Sequence, residues 1–100
     1  MKNLERTIKA LANLRRLKIV KFLAKDGNAS VSEIASEIRL SFKATSKHLS
    51  ILASAGILDK EQKSINVIYF LHKQPPQVAK KIIALLSNSH QRRAGARIGE

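Results

Sequence analysis

Residues 30–54 read SVSEIASEIRLSFKATSKHLSILAS, and this stretch decides the fold. It opens on Ser30-Val31-Ser32-Glu33, a capping box in which Ser30 and Glu33 satisfy each other's end of the backbone. Val31, Ile34, Ala35 and Ile38 follow at i, i+3, i+4, i+7, the spacing of one helix face. Arg39-Leu40 interrupt the pattern, and Ser41 caps a second helix that reaches Ser54. Charge separates the two helices. The first carries Glu33 and Glu37 and no base, whereas the stretch from Arg39 to Ser54 carries Arg39, Lys43 and Lys47 and no acid. A segment that must enter a groove lined by phosphates cannot hold carboxylates there without repulsion.

At about 100° per residue, Lys43, Ser46, Lys47, Ser50 and Ser54 share the outward face of the second helix, and Thr45, Leu49 and Leu52 share the core side. Lysine bonds guanine O6/N7 or a phosphate, and serine bonds bases of any kind, so this face suits both positioning and readout. Phe42 has two readings: contact with a thymine methyl, or a staple folded back onto the preceding helix. His48, on the flank of the core side, is either a phosphate or base contact or a packing residue.

Working outward, Leu4, Ile8 and Leu11 mark one face of a first helix, and Asn13 caps a second from Leu14 to Lys25 that Asp26-Gly27 stops. On the other side Gly56 ends the 41–54 helix and Ile57-Leu58 return the chain to the core. The period then changes: Ile65, Val67, Tyr69 and Leu71 alternate with Asn66, Ile68 and Phe70, which suits a strand. A partner strand over residues 57–61, joined through a turn at Gln62-Lys63-Ser64, makes a hairpin with charge at its tip. Lys63 and Ser64 there read as backbone or minor-groove contacts, though a lysine at a hairpin tip also serves solubility. Pro75-Pro76 force an extended connection, and Val78, Ile82, Leu85 and Leu86 stripe a last amphipathic helix. Residues 1–88 thus form one domain, and residues 89–100 lose periodicity and read as a mobile basic tail.

Composition narrows the function. Nineteen Lys and Arg against seven Asp and Glu give a formal charge of +12, which calls for a polyanionic partner, nucleic acid or an anionic membrane surface. The absence of cysteine excludes disulfides, thiolate metal sites and cysteine redox sensing. No apolar run approaches the ~20 residues that span a bilayer, and the charged N-terminus is no secretory signal, so a cytoplasmic location is expected. His48, His72 and His90 are scattered, so neither a metal nor a cofactor is expected. Without a cysteine nucleophile, a paired-carboxylate cleft or a glycine-rich phosphate loop, no enzyme is expected either.

Two short helices and then a hairpin is the order of a winged helix-turn-helix: mostly α with a small β-hairpin wing, a three-helix DNA-binding core plus terminal dimerisation helices. The DNA-contacting candidates are Arg39, Ser41, Phe42, Lys43, Thr45, Ser46, Lys47, His48 and Ser50, with Lys63 and Ser64 from the wing. Leu4, Ile8, Leu11, Val78, Ile82, Leu85 and Leu86 are the candidates for a dimer interface, because a small winged core cannot cover both terminal stripes.

Lys9-Ala10-Leu11-Ala12-Asn13, Arg16-Leu17-Lys18-Ile19-Val20, Val31-Ser32-Glu33-Ile34-Ala35, Leu40-Ser41, Ser46-Lys47-His48-Leu49-Ser50-Ile51-Leu52, Ala55-Gly56-Ile57-Leu58 and Tyr69-Phe70-Leu71 stand in an order that resembles the arsenic-repressor (ArsR-type) family. The resemblance covers about Ile8 to Leu71. It implies a homodimer on double-stranded DNA, repressing from a palindromic operator. The chain departs from relatives that bind metal through cysteines before the recognition helix, or through Asp, His and Glu on the last helix. Arg39 also stands where relatives usually have glycine, and Leu14 where many have proline. The expected function is a homodimeric, sequence-specific transcriptional repressor that does not respond to metal and whose effector, small molecule or protein, the sequence does not name. A non-specific architectural DNA- or RNA-binding protein on the same fold is the alternative, and a protein-interaction module a third reading.

Overall fold

A computed structural model describes residues 1–87, so the basic tail expected at 89–100 lies outside the described residues. The chain runs α1 (Lys2–Leu11), α2 (Leu14–Asp26), β1 (Asn28–Ser30), α3 (Val31–Ile38), α4 (Phe42–Ser54), β2 (Leu58–Lys63), β3 (Asn66–Leu71) and a final helix, α5, over residues 77–87. Local chemistry sets most of these boundaries. The Asn13 side chain accepts from the Arg16 N–H at 3.2 Å, opening α2. Gly27, at φ 93, closes it by donating to the Leu23 carbonyl at 2.9 Å. The capping box forms as expected: Glu33 N–H donates to Ser30 Oγ at 3.2 Å, and Ser30 N–H to Glu33 Oε1 at 2.8 Å.

Arg39 ends α3 in the left-handed region, φ 55 and ψ 55. Its N–H bonds the Ser36 carbonyl at 3.3 Å and the Leu40 N–H bonds the Ala35 carbonyl at 3.0 Å. These are the two bonds of a Schellman motif, with arginine where glycine is usual. The motif turns the chain sharply enough for Ser41 to cap α4, its Oγ accepting from the Ala44 N–H at 3.1 Å.

Ile19, Val20, Leu23, Ile34, Leu49, Leu52, Ile57 and Leu58 are the sealed centre of the core, each at most 1% exposed. The sheet has the order β1-β3-β2, antiparallel throughout. β1 has no counterpart in the sequence reading. Its three residues are too few to show an alternation, and it is a strand only because Ala29 pairs with Tyr69. The wing also differs from expectation. β2 extends to Lys63, which pairs with Asn66, and the turn is Ser64-Ile65 rather than 62–64. Ile65, placed by alternation on the inward face of the strand, sits at the wing tip, 90% exposed. Pairing, which ends at Asn66, terminates the period that the side chains alone would continue.

The terminal helices bury a different set from the one their stripes predict. Leu11 is 5% exposed and packed in the core with Ala10, which removes it from the candidate dimer surface. In α5 the buried residue is Ala79, with Ile82, Ile83 and Leu86 packed beside it. Leu4, Ile8 and Leu85 stay outside at 40%, 50% and 56% exposure.

Candidate nucleic-acid interface

The outward face of α4 is held from behind. Leu49, Leu52 and Thr45 are fully buried, which fixes the rotation of the helix about its axis. Lys43, Lys47, Ser50 and Ser54 are consequently exposed, and Ser46 is half-buried beside them. Phe42 at the helix start is 59% exposed and so is not folded back as a staple. Ser41 is exposed, and its Oγ accepts the cap bond from the Ala44 N–H. Arg39, Lys63 and Ser64 are exposed as well, the last at φ 58 in the wing turn. Thr45 is a correction to the candidates for DNA contact. At 0% exposure it cannot touch a nucleic acid, and its Oγ1 has no hydrogen-bond partner.

His48 is half-buried and tied to Arg16, a residue given no site role from the sequence. Arg16, at the start of α2, donates through Nε to the Ala10 carbonyl at 2.6 Å, and its Nη2 lies 3.5 Å from the Lys9 carbonyl. It thereby satisfies the last carbonyls of α1, where a cation is favoured by the helix dipole. Its Nη1 reaches His48 Nδ1 at 3.1 Å. A guanidinium only donates, so Nδ1 is the acceptor and the ring proton resides on Nε2. Burial first, and then Arg16, Arg15 and Lys47, hold the His48 pKa below its usual 6.5. Arg16, one of the adjacent pair Arg15-Arg16 on an amphipathic helix, carries no sequence signal for this role; only the crossing of α1, α2 and α4 brings its three partners together.

The electrostatics follow from a shortage of acids. Among the described residues there is one ion pair, Lys9 with Glu5 at 3.8 Å, on the exposed surface of α1. Lys43 and Lys47 therefore have no carboxylate partner among the described residues, whose α4 face presents positive charge.

A family model described as bacterial regulatory protein, arsR family, matches residues 13–60, which run from the cap of α2 into the wing. The chain is 36% identical over 69 residues to the arsenic resistance transcriptional regulator ArsR1 of Pseudomonas putida, covering 69% of this chain and 54% of that protein. It is 39% identical over 64 residues to the transcriptional activator HlyU of Vibrio cholerae, covering 64% of this chain and 58% of that protein. The match thus spans little more than half the length of these curated relatives. The solved structure of reduced HlyU from Vibrio cholerae superimposes with a TM-score of 0.74 at 33% identity, covering 87% of both chains. The chain belongs to the ArsR family.

As in that family, the described fold is a winged helix-turn-helix, that of DNA-binding transcriptional regulators and not of enzymes. A homodimeric winged helix-turn-helix DNA-binding domain from Mycobacterium bovis, described as a possible ArsR-family transcriptional regulator, has a TM-score of 0.74 at 26% identity and covers 93% of this chain and 82% of its own. In this ArsR-family chain no described helix is long and apolar enough to cross a membrane. Both histidines within the described residues already have partners on their Nδ1 atoms: His48 accepts from Arg16, and His72 from the Gln74 N–H at 3.0 Å. His90, the third, lies outside the described residues.

Proposed function

We propose that this chain is a homodimeric, sequence-specific DNA-binding regulator that represses transcription from a palindromic operator and does not respond to metal. The carrying observation is the outward face of α4, acid-free, capped by Ser41 and held in rotation by Leu49 and Leu52, with Lys43 and Lys47 meeting no carboxylate among the described residues. Lys43, Ser46, Lys47 and Ser50 enter the major groove, where they reach base edges and phosphates. Phe42 adds an apolar surface for a thymine methyl. Arg39 and the wing residues Lys63 and Ser64 hold the flanking backbone, and His48 offers its Nε2–H to a phosphate.

Dimerisation is supported by the apolar surface left on the terminal helices, Leu4, Ile8 and Leu85, with Val78, Ile82 and Leu86 half-buried at its edge. The homodimeric Mycobacterium bovis domain supports the same reading. A two-fold dimer sets the recognition helices about 34 Å apart, one turn of duplex.

The test is selection from a random duplex library at about 150 mM salt, near physiological ionic strength. An enriched inverted repeat is expected, and changing Lys43 or Ser46 should relax preference at defined positions. Retention without any enriched motif would replace this reading with a non-specific architectural one, which the +12 charge favours. Sedimentation of an Ile8→Glu variant as a monomer is expected; an unchanged dimer would move the interface elsewhere.

A further inference from the structure

The α4 face does not end at α4. A groove beside its C-terminal half has Ser50 and Ser54 on one wall, and Lys2, Arg6, Lys9 and Arg16 on the other. At about 100° per residue Lys2, Arg6 and Lys9 fall within about 60° of one another along α1. The buried residues Thr7, Ala10 and Leu11 occupy the neighbouring arc, and Leu4 and Ile8 the edge beyond it. One short helix therefore has three surfaces: a core face, an apolar edge pointing away from α4, and a basic edge turned toward it. The acid in this groove is Glu5, already engaged with Lys9.

Helix orientation decides what the basic edge faces. From Lys43 to Ser54 the outward surface of α4 runs about 17 Å at 1.5 Å per residue, and a recognition helix meets base edges through its N-terminal residues. In that docking the C-terminal end of the surface is the part left for the flanking sugar–phosphate backbone. Ser50 and Ser54 lie at this end, and Lys2 and Arg6 stand across the groove from them. Arg16, Arg15 and Lys47, which after burial lower the His48 pKa, add positive charge on this side of the molecule.

We propose that the basic edge of α1, Lys2 and Arg6 with Lys9 beside them, is a second phosphate-binding surface that grips the DNA strand flanking the recognition helix. It extends the footprint without reading bases. The inference rests on the DNA-binding reading above and adds a contact from an element outside the helix-turn-helix. Arg16 serves the surface indirectly, because its bonds to Ala10 and His48 hold the end of α1 against α4.

The test compares the full chain with its Lys2→Ala/Arg6→Ala variant on a duplex carrying the selected repeat, or on random-sequence duplex if none is selected, between about 50 and 200 mM salt. Removing one phosphate-binding cation lowers the slope of log affinity against log salt by about 0.9, so a drop of about 1.8 per protomer is expected, with the selected motif unchanged. A Lys18→Ala/Lys21→Ala variant removes the same charge from α2 and should leave the slope near wild type. An unchanged slope in the α1 variant overturns the proposal, as does an equal drop in the α2 control, which would mean a general charge effect. If wild-type protein binds no duplex at all, the DNA-binding reading fails and this inference with it. Lys2 and Arg6 are exposed, so an unaltered circular dichroism melt is expected for the α1 variant.

Discussion

Replacing Arg39 by glycine should make the protein more stable while weakening its hold on DNA. Arg39 sits at φ 55, ψ 55, where a Cβ crowds the following carbonyl at a cost of about 1–2 kcal/mol. Glycine escapes that strain but loses about 0.5–1 kcal/mol through its freer unfolded chain. The difference leaves a net gain between about 0 and 1.5 kcal/mol, about 0.75 kcal/mol at the midpoints. The exposed Arg39 side chain has no carboxylate partner among the described residues, so little is forfeited with it. For a domain of this size 1 kcal/mol moves Tm by about 4–8 °C, so a rise of a few degrees is expected in a thermal melt. The melts must share one protein concentration, since association shifts Tm. Arg39→Ala keeps the Cβ and the strain and should leave Tm near wild type, while both variants give up the guanidinium that would hold a phosphate and show a lower salt slope. A Tm for Arg39→Gly at or below wild type would refute the assignment of strain to this residue.

Thr45→Val should raise stability by about 1 kcal/mol or more in denaturant titration, because it replaces a buried hydroxyl that has no partner by a methyl of the same shape. The motif selected from a library should not change. The contrast is Thr7, whose buried hydroxyl donates to the Asn3 carbonyl at 2.8 Å and should not tolerate valine as well. Arg16→Met should destabilise by about 1–3 kcal/mol, since it uncaps α1 and leaves acceptors unsatisfied. Arg16→Lys should not restore the loss, because an ammonium cannot fork between Ala10 and His48. His48 makes stability pH-dependent in a fixed direction. Its folded pKa lies below the unfolded 6.5, so the unfolded chain takes up the proton first; stability is full above about 6.5, falls as pH drops through it, and levels off below the folded pKa. Melts from pH 7.5 to 5 should show this loss in wild type and a smaller one in His48→Gln; equal losses would place the sensitivity elsewhere.

Most of the fold is legible in the sequence because its determinants are local. Asn13, Ser30 with Glu33, and Ser41 cap helices through bonds to groups three residues away, and these caps stand where a linear reading puts them. The acid-free face of α4 is equally legible, since helical period and charge are both properties of the chain. The positive φ at Arg39 agrees with the resemblance, which puts arginine at a position where relatives usually have glycine. Sequence and structure part where a second element decides. Ile65 continues the alternation of β3, but pairing with β2 ends the strand at Asn66. β1 exists only because β3 runs beside it. Leu11 reads as an interface residue by its spacing, yet the core covers it. Thr45, a candidate for DNA contact although its spacing put it on the core side, is buried as that spacing requires.

The basic edge of α1 and the Arg16–His48 contact belong to the same class. Lys2, Arg6 and Lys9 show their helical spacing in the sequence, but nothing in it says that this arc faces α4 rather than solvent. His48 is 32 residues from Arg16, and only the packing of α1 and α2 against α4 brings the two to 3.1 Å. Sequence by itself determined the helices, their caps, the winged order and the sign of the charge, because each depends on neighbours within a turn or two. Tertiary structure alone decided which faces are buried and which cations stand together, because those depend on contacts between segments far apart in the chain.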